Sequence, residues 1–224
     1  MLACPAEARA PMSSRSRFRW SAAYALACAT ILCLALPQSL RAQGSDVLSQ
    51  ENVLRDPEIP AFGNPDGDVT IVEYFDYHCP YCKAVAPELE KLSKEDGKIR
   101  IILKEWPILG EDSTNAARMA LAAKYQGKYR QAHDALIAAR GRLTGPRIEE
   151  LLKKAGIDVA RAAKDLRANS KSIEALLARN NAQAEAFGFQ ASPSFIVGTY
   201  RYPGAAPVEH LKQMIADVRA GKNK

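Results

Sequence analysis

The sequence predicts an α/β fold in which a strand–helix–strand unit is separated from a closing strand and helix by an all-helical insertion. Three observations carry this reading. The run Val69-Thr70-Ile71-Val72-Glu73-Tyr74-Phe75 is rich in β-branched and aromatic side chains and is soon followed by apolar residues at helical spacing. A second run of the same kind, Lys98 to Lys104, follows that helical segment. An alanine-rich stretch from Asp112 to about Ala186 then keeps helical periodicity until strand character returns at Ser194-Phe195-Ile196-Val197.

Each element has a local reason. Residues 43–58 are polar and short of large apolar groups, and read as a flexible or weakly helical arm. Asn64-Pro65-Asp66-Gly67-Asp68 is a turn cluster leading into the first strand. After Phe75 comes Cys79-Pro80-Tyr81-Cys82, and from Lys83 to Glu95 the residues Val85, Leu89 and Leu92 share a helical face that Gly97 ends. Asp112-Ser113 is placed to cap the first helix of the insertion, and Pro146 suits the first turn of another. Ile173, Leu176 and Leu177 form an apolar stripe, and Gly127, Gly141 and Gly156 divide the block. Beyond Val197, Gly198 and Gly204 mark turns before a last helix from Pro207 to about Ala220. The domain reading is therefore 59–111 and 187–224 for the two parts of the α/β unit, with 112–186 inserted between them.

The first 42 residues read as an address. Arg9, Arg15, Arg17 and Arg19 stand against a single acid, Glu7, and Trp20 to Leu36 is a run of 17 residues without charge. A positive flank before an apolar run is the pattern of a cleaved secretory signal peptide. Cleavage is expected after Ala42, and Met12 is an alternative start; an uncleaved anchor is the competing reading, since the apolar run is just long enough to span a bilayer. Removing 1–42 leaves 26 basic and 24 acidic residues, so most of the +6 charge of the whole chain goes with the leader and the case for nucleic acid goes with it. The remaining charge is uneven: residues 43–111 hold 7 basic and 14 acidic residues, residues 112–186 hold 14 and 8. The basic helices are expected to present a solvated face. At 47% hydrophobic and 25% charged, the chain is neither disordered nor a multi-span membrane protein.

Cysteine usage sharpens with the leader removed. Of five cysteines, Cys4, Cys28 and Cys33 lie in the leader, leaving Cys79 and Cys82 as a single Cys-x-x-Cys pair. Two cysteines at this spacing, opening a helix, face the same way and are close enough to bridge. At a helix N-terminus the unpaired N–H groups and the macrodipole favour a thiolate on Cys79, making it the attacking sulfur, with Cys82 one turn in as the resolving one. A purely structural disulfide here closes too short a loop to stabilise the fold much. A structural zinc site wants four ligands, for which only His78, His133 and His210 are to hand; copper(I) held by both thiolates remains an alternative. His133 and His210 sit in helical patterns and are taken as ordinary surface or core residues, and Trp106-Pro107 as packing. Ser192-Pro193, just ahead of a strand, is a candidate cis peptide bond.

Phe75-Asp76-Tyr77-His78-Cys79-Pro80-Tyr81-Cys82-Lys83, Ala86-Pro87, and Ala191-Ser192-Pro193-Ser194-Phe195 far downstream together resemble the DsbA-like branch of the thioredoxin superfamily, exported thiol:disulfide oxidoreductases. The resemblance spans about residues 58–220. It implies a thioredoxin fold with an inserted helical domain, Cys79 and Cys82 as the redox pair, and Pro193 as a cis-proline that helps bind substrate backbone. It implies a substrate-facing rim of Ser192, Pro80, Tyr81 and His78, a helix kink at Pro87, and Glu73 and Lys104 as an acidic and a basic group beneath the disulfide. No cofactor or metal is expected. Expected partners are reduced or misoxidised exported proteins and a membrane redox partner, either a DsbB-like quinone-linked oxidase or a DsbD-like reductant, in the periplasm. Disulfide donation is the favoured direction; reduction or isomerisation is the alternative. Pro80-Tyr81 replaces the Pro-His of the strongly oxidising members, so a milder oxidant is expected, with His78 as a partial substitute. The sequence is also similar to ScsC-like copper-sensitivity suppressors, but residues 43–58 are too short and polar for their trimerisation stalk, which points to a monomer.

Overall fold

The computed structural model describes residues 47–222, so the leader, its cleavage site and the choice of start codon lie outside the described residues. In chain order the elements are α1 (Gln50–Leu54), β1 (Ala61–Gly63), β2 (Val69–Phe75), α2 (Pro80–Asp96), β3 (Ile99–Glu105), α3 (Glu111–Ala123), a 3-10 turn (Lys124–Gln126), α4 (Tyr129–Ile137), α5 (Gly145–Lys154), α6 (Val159–Ala168), α7 (Ser170–Ala186), β4 (Ser194–Val197), β5 (Tyr200–Pro203) and α8 (Val208–Arg219). The strands form one five-stranded sheet in the order β1-β3-β2-β4-β5. β2 and β3 run parallel across the α2 crossover, and the other pairings are antiparallel. This is the α/β architecture with a helical insertion that the sequence predicts.

β2 lies at the centre, and six of its seven residues are buried because helices cover both faces of the sheet. Side chains alternate between the faces, so in the β2–β3 register Glu73 and Leu103 share one face while Tyr74 and Lys104 share the other. α2 and α4 cover the first face, where Glu105 accepts from the hydroxyls of Tyr77 (3.0 Å) and Tyr129 (2.8 Å). α7 covers the second, where Tyr74 donates to Gln183 Oε1 at 3.0 Å. Helix α2 begins with Pro80 in its first turn, carries Pro87 inside, and ends at Gly97 in the left-handed conformation (φ 72°), as the sequence indicates.

Three details differ from the sequence reading. The short edge strand β1 pairs antiparallel with β3 and has too few residues to show a period. The first helix of the insertion starts at Glu111 with Gly110 in the N-cap position and no side-chain cap, so Asp112-Ser113 is not the cap; the Ser113 hydroxyl is directed to Asp76. The segment read as a flexible or weakly helical arm does hold a short helix, but it is packed rather than loose from residue 50 onward: α1 buries Val53, and Asp56 is inserted into the core.

Asp56 holds that segment to the sheet. It accepts from Lys104 Nζ at 2.9 Å, both side chains being fully buried, and from Arg179 of α7 at 2.8 Å. Lys104 also donates to the Asn52 carbonyl at 2.6 Å. Burial opposes ionisation of Asp56, but Lys104 and Arg179 outweigh it and hold the carboxyl below its ordinary range. Burial lowers the Lys104 ammonium to about 8. Removing one partner of a buried pair strands the other, so Lys104→Met is expected to lower unfolding free energy by about 3 kcal/mol in denaturant titrations.

Candidate active site

The central strand delivers the dithiol motif. β2 ends at Phe75, and the loop Asp76–His78 turns the chain so that Cys79 becomes the N-cap of α2, with its N–H donating to the Asp76 carbonyl at 3.1 Å. Pro80 takes the first helical position, where a missing N–H removes no helical bond. The Cys82 N–H therefore points at the Cys79 sulfur, 3.4 Å away. From the other side the loop before β4 approaches: the Ser192–Pro193 peptide bond is cis, and the Cys79 thiol donates to the Ser192 carbonyl at 3.2 Å.

The two sulfurs differ in environment. The Cys82 thiol beside Cys79 favours the thiolate most, burial opposes it, and the Cys82 N–H, Ser192 and the Tyr81 N–H add support, so Cys79 is lowered from 9.0 to about 6. Cys82 is fully buried; burial first, then the hydrogen bond with Cys79 and the charge of Glu73, push its thiol far above the ordinary range. Glu73 is 3% exposed, and burial, then the Cys79 charge, raise its carboxyl to about 8. It lines a cavity of about 430 Å³ between the sheet, α2 and α4, walled by Phe62, Ile101, Leu103, Pro87 and His133.

Around this pair, Tyr81 is 64% exposed, Pro80 is exposed and Ser192 half-buried, so these three stand at the rim beside Cys79, whereas Pro193 is buried. Lys104 is elsewhere. Its parity in β3 puts it on the opposite face of the sheet from Glu73, where it donates to Asp56 and to the Asn52 carbonyl, so the expected acid–base pair beneath the disulfide does not form.

His78 is also not free to face a substrate. Its Nε2 accepts the Leu143 N–H at 3.0 Å, which leaves the ring proton on Nδ1, 2.9 Å from Ser113 Oγ. Ser113 in turn donates to Asp76 Oδ1 at 2.7 Å. Asp76, 1% exposed, also accepts from the N–H groups of His78 (2.7 Å) and Leu109 (2.9 Å). This carboxylate thus ties the dithiol loop to the start of α3, and the His78 ring ties it to the α4–α5 loop. Nothing in the spacing of the sequence singles out Asp76, Ser113 or Leu143, because their role depends on loops far apart in the chain. His133 is buried among Phe62, Phe75 and Tyr77, burial lowering it to about 3, and Trp106 is buried with its indole N–H donating to Asn181 at 3.0 Å; both are packing residues.

A family model described as thioredoxin matches residues 56–217. Among solved structures, a thioredoxin-like oxidoreductase from Silicibacter pomeroyi is 37% identical, with a TM-score of 0.74 over 77% of this chain and 98% of that one. The thiol-disulfide exchange protein alpha-DsbA2 from Wolbachia pipientis is 27% identical, with a TM-score of 0.70 over 81% of this chain and all of that one. A curated Na(+)/H(+) antiporter, NhaA 1 of Salinispora arenicola, is 27% identical over 161 residues, 71% of this chain and 24% of that protein. The chain thus spans about a quarter of the length of the antiporters it matches.

The reduced protein is expected to show thiolate absorbance at 240 nm rising with a midpoint near pH 6, and Cys79→Ser to lack that rise. Because the native thiol then binds fewer protons than the unfolded one, this ionisation stabilises the reduced fold increasingly from about pH 6 towards 9, and the benefit is lost as pH falls through 6. Thermal melts of reduced protein across that range check the sign.

Proposed function

The chain belongs to the thioredoxin family, and on that premise we propose that it is an exported dithiol–disulfide exchange enzyme that passes the Cys79–Cys82 disulfide to cysteine pairs of other exported proteins. The observation that carries this reading is the inequality of the two sulfurs: Cys79 is at a helix start with its thiol lowered to about 6, and Cys82 is buried behind it with its thiol raised.

The proposed reaction uses this inequality twice. A substrate thiolate attacks Cys79 Sγ, the Cys79–Cys82 bond breaks, and Cys82 leaves with the electron pair. A thiolate at Cys82 is unfavourable, and Glu73, neutral at pH 7 with its carboxyl raised to about 8, has a proton to give it. The substrate's second thiolate then attacks the substrate sulfur of the mixed disulfide, and Cys79 leaves as the stable thiolate. A stable leaving thiolate drives transfer outward, which favours donation over reduction. Pro193, Ser192, Pro80 and Tyr81 form the proposed surface for the substrate chain, with the Ser192 carbonyl already facing the Cys79 sulfur. His78 and Lys104 are left out of substrate binding and catalysis, being committed to Ser113, Leu143 and Asp56. The periplasm, a cleaved leader, a monomer and recharging by a quinone-linked membrane oxidase belong to the same reading.

Oxidative refolding of reduced ribonuclease tests it. Wild-type protein is expected to catalyse disulfide formation, Cys79→Ser to abolish it, and Cys82→Ser to accumulate the mixed disulfide with substrate; full activity of Cys79→Ser overturns the reading. Glu73→Gln, which keeps the shape but has no acidic proton, is expected to slow exchange by about 10²-fold near pH 7 in stopped-flow assays. Alkylation trapping in cells is expected to find the pair mainly oxidised.

A further inference from the structure

The residues on either side of the dithiol motif, His78 before it and Lys83 after it, both send their side chains to one stretch of the insertion. Lys83 Nζ donates to the carbonyls of Leu136 (3.1 Å) and Ile137 (3.4 Å), the last two residues of α4, and of Ala139 (2.8 Å) just beyond it. His78 Nε2 accepts the Leu143 N–H, seven residues beyond Leu136. A helix C-terminus is a favourable seat for a cation, because its last carbonyls lack intrahelical partners and carry the negative end of the macrodipole. Those carbonyls are partial charges. Among the described residues no carboxylate is ion-paired with Lys83, so its full positive charge is only partly balanced where it is bound.

We propose that Lys83, seated on the α4 carbonyls, is a positioning residue whose charge favours the Cys79 thiolate, so that residues 136–143 of the insertion act as a cradle for the dithiol motif. This rests on the exchange reading above, since a thiolate has a use only if the motif turns over. Lys83 follows Cys79 by one helical turn, its N–H donating to the Cys79 carbonyl at 3.1 Å, so the two side chains share a helix face. The other titratable groups acting on the sulfurs or on Lys83 are Glu73 from β2 and Asp76 from the preceding loop, while the Ser192 carbonyl faces Cys79 from the opposite side. Glu73 and Asp76 disfavour a thiolate when ionised; Cys82, Ser192 and the Tyr81 N–H favour it through hydrogen bonds, and Lys83 adds a full positive charge on the same helix face. Burial lowers the Lys83 ammonium, while Asp76 first, then Cys82 and Cys79, act to keep it charged. The insertion then has a chemical part to play, because without the end of α4 the Lys83 side chain has no seat beside the motif.

The test reads ionisation rather than turnover. Lys83→Gln keeps a donor for the carbonyls and removes the charge; its Cys79 absorbance midpoint is expected to rise by about half a pH unit or more, and iodoacetamide alkylation at pH 6 to slow about twofold or more. Lys83→Arg is expected to keep both near wild type. A folded Lys83→Gln protein with an unchanged midpoint overturns the proposal. Should that variant not fold, the wild-type protein answers by reciprocity: the Lys83 ε-methylene NMR titration must have a higher midpoint in the reduced than in the oxidised protein, since oxidation removes the thiolate. Equal midpoints overturn the proposal. Failure of wild-type protein to oxidise ribonuclease would instead sink the exchange reading and leave these titrations as they are.

Discussion

The 3.4 Å hydrogen bond from the Cys82 N–H to the Cys79 sulfur exists because Cys79 occupies the N-cap of a helix whose next residue is proline. An N-cap side chain receives a backbone donor that the helix itself cannot satisfy. When the capping atom is sulfur, the same geometry that starts the helix also favours a negative charge on it. One turn later the chain is already inside the core, so the partner sulfur meets the opposite condition and is held as a thiol. The proposed chemistry depends on this step in environment across three residues, and the surrounding elements have the effect of keeping it steep.

The sheet supplies the first support. Because β2 is central and covered on both faces, a carboxyl on it must be either paired or neutral. Glu73 has no ion-pair partner among the described residues and stays neutral near pH 7; Asp56, reaching the opposite face from the N-terminal segment, is paired with Lys104 and Arg179 and stays ionised. Two buried acids on two faces of one sheet thus take opposite protonation states. One is left with a transferable proton beside the sulfurs, and the other anchors a segment to the fold.

The insertion supplies the second support. Its helices carry many exposed ion pairs, such as Arg118–Glu174 and Arg147–Glu150, of the kind that add little to stability. Its contribution lies in a few inward contacts: Ser113 on Asp76, the Leu143 N–H on His78, and the carbonyls at and just beyond the end of α4 on Lys83. Each closes a hydrogen bond that the dithiol loop cannot make within itself, and the cost of leaving such groups buried and unpaired explains why loops distant in sequence converge there.

The sequence alone determined the parts whose causes are local. The β-branched run at 69–75, the helix stop at Gly97, the insertion between about 112 and 186, the Cys-x-x-Cys pair at a helix start and a Ser192-Pro193 bond ahead of a strand are all legible from neighbouring residues. Glu73 beneath the motif was legible through resemblance. What only the tertiary structure decided are the pairings that cross the fold. Lys104 pairs with Asp56 because strand parity turns it away from Glu73. His78 is spent on Leu143 because the α4–α5 loop arrives there. Asp76 joins the dithiol loop to Leu109 and Ser113, 33 and 37 positions further along the chain. Hydrogen bonds and ion pairs depend on distances of a few ångströms between groups, and a linear pattern carries the period of a strand or helix but not which distant partner fills the space beside it.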